Sequence, residues 1–322
     1  RGRQLIVAGD QRQLPPTAFF QLASTDTGDT YDEDELDDFQ SVLDLAKAAG
    51  AMPSLPLSWH YRSEHEALIT YSNRRFYEDA LTTFPSSLQE ADDIGIEFFK
   101  VDGVYERGGS RTNPMEARKV VERVLFHRRR HPHLSIGVIA FSVAQQEAIE
   151  AAIEEEGFRH PDLLALLSDD RLDRFFVKNL ENVQGDERDI ILFSVGYGPD
   201  AEGKLSMNFG PLIRPGGWRR LNVAITRARR RVEVIASFLP TDIPASSSNE
   251  GTRHLRGYLE FARSGSIETA SEVFGAPSSL ASPVADVVAT TIEGWGYQVD
   301  RSVGAGTLRV DVGVRDPQRP GA

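Results

Sequence analysis

"NVQGDERDIILFSVGYG" (residues 182–198) decides the fold. A polar turn, Gln184-Gly185-Asp186-Glu187, runs directly into the apolar residues Ile190–Val195, which read as a strand. The apolar run is near-continuous rather than alternating, as expected where both faces of a parallel sheet are covered by helices. Leu5–Ala8, Ile136–Phe141 and Val232–Ala236 have the same character. Helical patterns lie between them. Ala117, Val120, Val121, Val124 and Leu125 follow the spacing of one helical face. A second helix is predicted from Val143 to Glu156, closed by Gly157. A third is predicted to begin near Ser63, where Ser63-Glu64-His65-Glu66 has the form of a capping box. Strands alternating with helices define a wound α/β sheet.

From Ser237 onward the sheet pattern stops. A polar connection leads to a predicted helix, His254–Ser264, and "GAPSSLASP" (275–283) reads as a linker. A helix over Val284–Gly294 and strand-like runs at Tyr297–Val299 and Leu308–Val314 follow. The expected organisation is a first segment over 1–40, a main α/β domain over 41–240, a linker with a helix over 241–281 and a further unit over 282–322.

The 322 residues contain no cysteine, which excludes disulfides, thiolate metal sites and cysteine nucleophiles. No stretch approaches the length of a membrane span and nothing resembles a signal peptide, so a cytoplasmic protein without a membrane partner is expected. The formal net charge is −12. It is unevenly placed, with eight acids and no base in "DTGDTYDEDELDD" (26–38). That stretch reads as a solvated loop. Arginines cluster at 128–130 and from 219 to 231, and local basic patches on an acidic chain can still bind phosphates.

Four stretches combine a strand end with polar residues, and the carboxyl edge of such a sheet is where ligands are expected. They are the opening segment with Asp10 and Gln13, "LSWHYRSEHEALI" (57–69) with Arg62, the turn before Ile190, and "RRLNVAITRARRRVEVI" (219–235) with Arg227. Each also has a plain structural reading. Gln13 can be a surface residue, Arg62 can pair with a carboxylate on its own helix, and Arg229–Arg231 can be a solvated helix end favoured by the helix dipole. Trp59, His60, Tyr61 and Trp218 can stack on bases, but the core or cleft-wall reading is favoured for them. His127, His131 and His133 read as a solvated helix end rather than a metal ligand set.

Taken together and in this order, the motifs resemble the C-terminal half of superfamily 1 helicases, in the branch that contains the nonsense-mediated-decay helicase. "GDQRQLPP" (9–16) resembles motif III, "HYRS" (60–63) the Tyr-Arg motif, "AFSVAQQ" (140–146) motif IV, "VQGDERDIILFS" (183–194) motif V and "RRLNVAITRARRR" (219–231) motif VI. The resemblance covers roughly residues 1–237. It implies a RecA-like second motor domain, with residues 1–40 ending the first, and an ATP-dependent helicase moving 5′ to 3′ on nucleic acid. It implies that Arg62 and Arg227 contact the γ-phosphate of ATP, that Gln13 senses it, and that Glu187 bonds the ribose. Asp10, Gln184 and Gly185 complete the nucleotide site, and Ser142 and Asn182 contact the strand backbone. An arginine fork suits phosphate oxygens because it stays charged and binds in a bidentate way. Where the family often has Gln or Asn, His60 stands here.

No Gly-rich loop ending in Lys-Ser/Thr and no motif II "DE" following a strand occurs in the sequence. Both belong upstream of motif III, so the chain is expected to be a fragment that does not hydrolyse ATP alone, with ATP and Mg2+ held mainly by the other half. "SPVADVVATTIEGWGYQVDRSVGAGTLRVDVGVRDP" (282–317) resembles the beginning of a restriction-endonuclease-like domain. There Asp311 matches the metal-binding aspartate, while Ala285 occupies the place of a frequent glutamate. This tail favours DNA as the nucleic-acid partner. A non-catalytic nucleic-acid-binding scaffold and a metal-dependent nuclease fed by the motor are the alternative functions.

Overall fold

A computed structural model describes residues 4–15, 41–50, 52–86, 91–167, 174–264, 282–304 and 308–318. The acidic stretch 26–38 and most of the linker 275–283 lie outside these residues. The chain divides into two units, Arg1–Leu57 and Ser58–Ala322.

In the first unit, residues 5–8 do not form the predicted strand. They are extended but unpaired, with Leu5 69% and Ile6 79% exposed. No strand lies beside them among the described residues, and a strand without ladder partners has no means of satisfying its backbone except water. The polar turn that follows is ordered by Asp10. Its carboxylate accepts from the backbone N–H of Arg12 (2.9 Å) and from Gln13 Nε2 (3.0 Å). Helix α1 (Val42–Ala48) is capped by Ser41, and Lys47 donates to Gln11 Oε1 at 2.6 Å.

The second unit is built on five parallel strands, β1 (Gly95–Lys100), β2 (Ile136–Ala140), β3 (Phe176–Asn179), β4 (Arg188–Ser194) and β5 (Ala228–Ala236). Their spatial order is β1-β5-β4-β2-β3. Helices α3 (Pro114–Arg130), α4 (Val143–Gly157) and α5 (Pro161–Leu167) pack together against one face. On the other lie α2 (Ala67–Phe76), α6 (Trp218–Ile225) and α7 (Glu250–Ser264). This double cover explains the unbroken apolar runs. Ile190 and Leu192 of β4 join the α3–α4 core, while Phe193 meets Tyr258 of α7 edge-on at 6.3 Å. The two strands without a clear sequence signal, β1 and β3, are the sheet edges. "GIEFFK" and "FVKN" are only partly buried, so their patterns are mixed.

Local chemistry sets the helix starts. Asn113 caps α3 by accepting from the N–H of Glu116 (3.2 Å) with Pro114 at the first helical position, and Ser142 caps α4 by accepting from Gln145 N–H (3.2 Å). Helix α2 begins at Ala67 rather than near Ser63. The capping box does not form, because Ser63 bonds His60 Nε2 (2.9 Å) and the Glu66 carboxylate is taken by Thr83 (2.9 Å).

The histidines and arginines correct two further expectations. His127 is wholly buried, with Nε2 2.8 Å from Glu233 Oε1, and only His133 of the three is solvent-exposed. Arg123 adds a bidentate pair to Glu233 at 2.7 Å and Arg231 a bond at 2.8 Å. Burial alone raises the Glu233 carboxyl, but the bonds from His127 and Arg123 overcome it and hold the group down to about 2. Arg229–Arg231 are therefore no solvated helix end: they open strand β5. Their charges draw carboxylates from neighbouring elements, which compensates burial better than water at a helix terminus would.

After α7, helix α8 (Pro283–Gly294) packs on an antiparallel hairpin, β6 (Val299–Val303) and β7 (Val310–Val314). Asp311 lies exposed on β7. Among the described residues no group of three or more His, Cys, Asp or Glu side chains could hold a metal ion, and no helix is long and apolar enough to cross a membrane.

Candidate functional site

Strands β4 and β5 are neighbours with Arg188 opposite Ala228, so the residues just before each strand are brought side by side. Arg188 N–H donates to Arg227 O at 3.1 Å. The turn 184–187 thereby meets the turn that joins α6 to β5. A third segment, 58–66, runs along the same end of the sheet and is held there by Glu64 N–H donating to Arg229 O at 2.7 Å. Arg62, Glu187 and Arg227, distant in sequence, meet at this point. They lie at the amino edge of the sheet, not at the carboxyl edge expected for ligand-binding turns, because both turns precede their strands.

Arg62 Nε donates to Glu187 Oε2 at 2.7 Å, and its Nη1 lies 3.5 Å from Thr226 O. Arg229 approaches the other oxygen of Glu187 at 3.8 Å and pairs with Asp189 at 3.0 Å. Arg62 therefore does not pair on its own helix. Arg227 differs from both. It is only 3% exposed, and its guanidinium donates to Val223 O (2.7 Å), Thr226 Oγ1 (3.1 Å) and Asp186 O (3.4 Å), with no carboxylate within ion-pair distance among the described residues. Burial, and then the positive charge of Arg62, bring its pKa down to about 10. A buried cation bonded only to neutral acceptors is electrostatically incomplete, and an anion placed beside it is strongly favoured.

The surrounding residues shape this edge. Gly185 has φ +92° and open space where a side chain would stand, so the turn needs glycine for its backbone while leaving that side free. Gln184 is exposed beside it. Asp186 is tied to Lys178 at 2.6 Å. Burial and the adjacent Arg62 hold the His60 imidazole down to about 4, and its Nε2 accepts from Ser63 N–H at 3.2 Å. Trp59 and Tyr61 are 62% and 93% exposed, against the core reading. Segment 58–62 pairs with Thr82 through a bridge at Trp59, and its alternate residues Trp59 and Tyr61 face outward while His60 and Arg62 are half-buried. Trp218 keeps the wall reading, stacked on Phe76 at 5.1 Å.

Ser142 and Asn182 lie at the opposite, carboxyl edge, after β2 and β3. Strand β4 alone, at about 3.3 Å per residue, puts about 20 Å between the two edges. Gln13 and Asp10 belong to the first unit, and Asp311 to the C-terminal hairpin. The carboxyl edge also holds a cluster with no expectation attached to it. Glu116, fully buried, accepts from Gly196 N–H (2.7 Å), Ser237 Oγ (2.8 Å) and Ser194 Oγ (2.9 Å), while Gln145 ties Ser194 to Asn113. Its one sequence signal is the Asn113-Pro114-x-Glu116 start of α3.

A five-stranded parallel sheet covered by helices on both faces is an α/β fold of RecA-like kind. Residues 39–238 match the family described as AAA domain, of helicase superfamily 1 type, and the chain belongs to that family. Among its relatives, the protein named Uncharacterized ATP-dependent helicase MG140 homolog from Mycoplasma pneumoniae is 36% identical over 273 residues, covering 80% of this chain and 23% of that protein. The MG140 protein of Mycoplasma genitalium, named in the same way, is 34% identical over the same shares. The 5'-3' DNA helicase ZGRF1 of Mus musculus is 27% identical over 249 residues, covering 73% of this chain and 11% of that protein. The chain thus spans less than a quarter of the length of these relatives.

Proposed function

We propose that this chain supplies the second RecA-like domain of an ATP-dependent helicase that moves 5′ to 3′ on single-stranded nucleic acid, with DNA as its substrate. The observation that carries this reading is Arg227, buried and, among the described residues, without a carboxylate partner, beside Arg62 and Glu187. Phosphoryl transfer depends chiefly on positioning and on neutralising charge at the γ-phosphoryl oxygens. Arg227 is held rigidly by three neutral acceptors and offers its charge to that group. Arg62 is more loosely held: a phosphate oxygen can replace Glu187 as its partner, which frees Glu187 to accept from a ribose hydroxyl. Tyr61, next to Arg62 and exposed, offers a face for the nucleotide base.

Gln13, in the turn that Asp10 orders, is read as a γ-phosphate sensor on the helicase resemblance alone. Mg2+ is not assigned to Asp186, Glu187 or Asp189, each of which pairs with a cation. Ser142 and Asn182 at the carboxyl edge contact the strand backbone with a hydroxyl and an amide. The relatives' names support ATP-dependent helicase action, and one supports DNA and the 5′ to 3′ direction.

The test is Arg227→Ala in the protein carrying the complete motor. ATP turnover is expected to fall by about 10³-fold or more, as for other arginines that neutralise a transferring phosphoryl group. Nucleotide binding, measured by fluorescence titration, remains. Unchanged turnover would overturn the assignment.

A further inference from the structure

We propose that Arg230 is a positioning residue that fixes Arg62 at a set distance from Arg227 by locking segment 58–66 onto strand β5. The inference rests on the reading of Arg62 and Arg227 given above and adds a residue with no place in it. Arg230 Nη1 donates to Glu64 Oε2 at 2.5 Å and Nη2 to Asp93 Oδ2 at 2.6 Å. One guanidinium thus joins β5, the segment two residues beyond Arg62, and the loop leading into β1. The main chain adds a second point, Glu64 N–H to Arg229 O.

Segment 58–66 is fastened at its two ends: to Thr82 by two backbone bonds at its start, and at its finish to Ser86, through Glu66 N–H and Glu64 O, and to the first turn of α2. Arg62 lies between these points, where residues 61–63 are neither helix nor strand, and the Arg230–Glu64 pair ties this stretch to β5. Arg62 and Arg227 are like charges at close range, so nothing in their own interaction keeps them together. The single ion pair from Arg62 to Glu187 is half-exposed and is the bond a phosphate must displace. Once it is displaced, the Arg230–Glu64 pair still holds the segment. The neighbouring arginines do not substitute for it. Arg229 is committed to Asp189, and Arg231 to Glu233 and Glu97.

The experiment uses the protein with the complete motor and compares Arg230→Ala, Arg230→Lys, Glu64→Ala and the double variant Arg230→Ala/Glu64→Ala. A reacting group misplaced by about 1 Å loses roughly 100-fold in rate. Arg230→Ala is therefore expected to lower kcat by about that factor while KM for ATP stays within about threefold. Glu64→Ala should do the same, and the double variant should be no slower than either single one, since both remove one interaction. Lysine at 230 should recover part of the rate by reaching one of the two carboxylates. Wild-type kcat in Arg230→Ala, or fully additive losses in the double variant, would overturn the inference. Should Arg230→Ala fail to fold, Glu64→Ala carries the test alone, because that side chain is 52% exposed. Arg227→Ala, run alongside, separates the two failures. If it retains turnover the underlying reading is wrong, and if it is inactive while Arg230→Ala is normal only the lock is wrong.

Discussion

The two edges of the central sheet each hold a polar cluster, and the two clusters are built from opposite materials. At the amino edge, charges meet charges: Arg62 with Glu187, Arg229 with Asp189, Arg230 with Glu64 and Asp93. Most of these side chains keep some contact with water, and the turn at Gly185 opens to free space. At the carboxyl edge Glu116 sits among hydroxyls, amides and backbone N–H groups, entirely out of water and with no cation bonded to it among the described residues. Glycines press against it. An added Cβ at Gly103 would lie 2.2 Å from Asn113 Oδ1 and 2.5 Å from Ser237 Oγ. Partly solvated ion pairs can exchange partners at little cost. A buried neutral network cannot, since each broken bond leaves a polar group unsatisfied. One edge is suited to swapping partners with an arriving anion, the other to holding loops still.

The sharpest way to break this comparison is a matched pair of glycine substitutions. Gly103→Ala should cost about 3 kcal/mol, because the new methyl collides with fixed polar atoms. Gly185→Ala should cost only about 1 kcal/mol, from its positive φ alone. Urea unfolding of the two variants measures the difference, and equal costs would show that the carboxyl edge yields as readily as the amino edge.

Proton titration gives an effect of similar size. Burial lifts the Glu116 carboxyl to about 7, despite bonds from Gly196, Ser237 and Ser194, against an ordinary value of 4.5. The fold therefore binds this proton more tightly than the unfolded chain does. Its contribution to stability is complete below about pH 4.5 and is lost as pH rises through 7, on the order of 3 kcal/mol in all. Glu116→Gln should flatten this slope in unfolding curves taken between pH 5 and pH 8. At the amino edge Arg227 stays charged throughout that range, so the Arg227→Ala variant should keep the wild-type slope.

The smallest effect concerns Ser142. Its Oγ accepts from Gln145 N–H at the start of α4, which leaves the hydroxyl hydrogen to donate. Ser142→Ala should cost about 1 kcal/mol of stability as a lost cap. A fall of a few fold in affinity for a single-stranded oligonucleotide, measured by anisotropy, would mark the donated bond as well. An unchanged affinity would confine Ser142 to capping.

The interior strands β2, β4 and β5 were legible because burial on both faces demands unbroken apolar runs. The edge strands β1 and β3 were not, since half-buried residues need no such pattern. Leu5–Ala8 shows the converse: an apolar run has strand character, but pairing requires a neighbour that the run itself does not specify. Trp59 and Tyr61 lie outside the core for a related reason, because aromatic character says nothing about which side of a segment faces the protein. Arg229–Arg231 look alike in sequence, yet at the register shift between β4 and β5 each takes different carboxylates: Arg229 takes Asp189, Arg230 takes Glu64 and Asp93, and Arg231 takes Glu233.

By itself the sequence determined the class of fold, the helix start at Val143, and the arginine and glutamate types that the site uses. These follow from local periodicity, capping chemistry and side-chain chemistry, all of which are written in short stretches. Only the tertiary structure decided that Arg62, Glu187 and Arg227 meet at the amino edge, that Arg227 has no carboxylate partner among the described residues, and that Arg230 joins two distant segments. The physical reason is strand register: the pairing of β4 with β5, and the bond of segment 58–66 to the start of β5, set which side chains become neighbours.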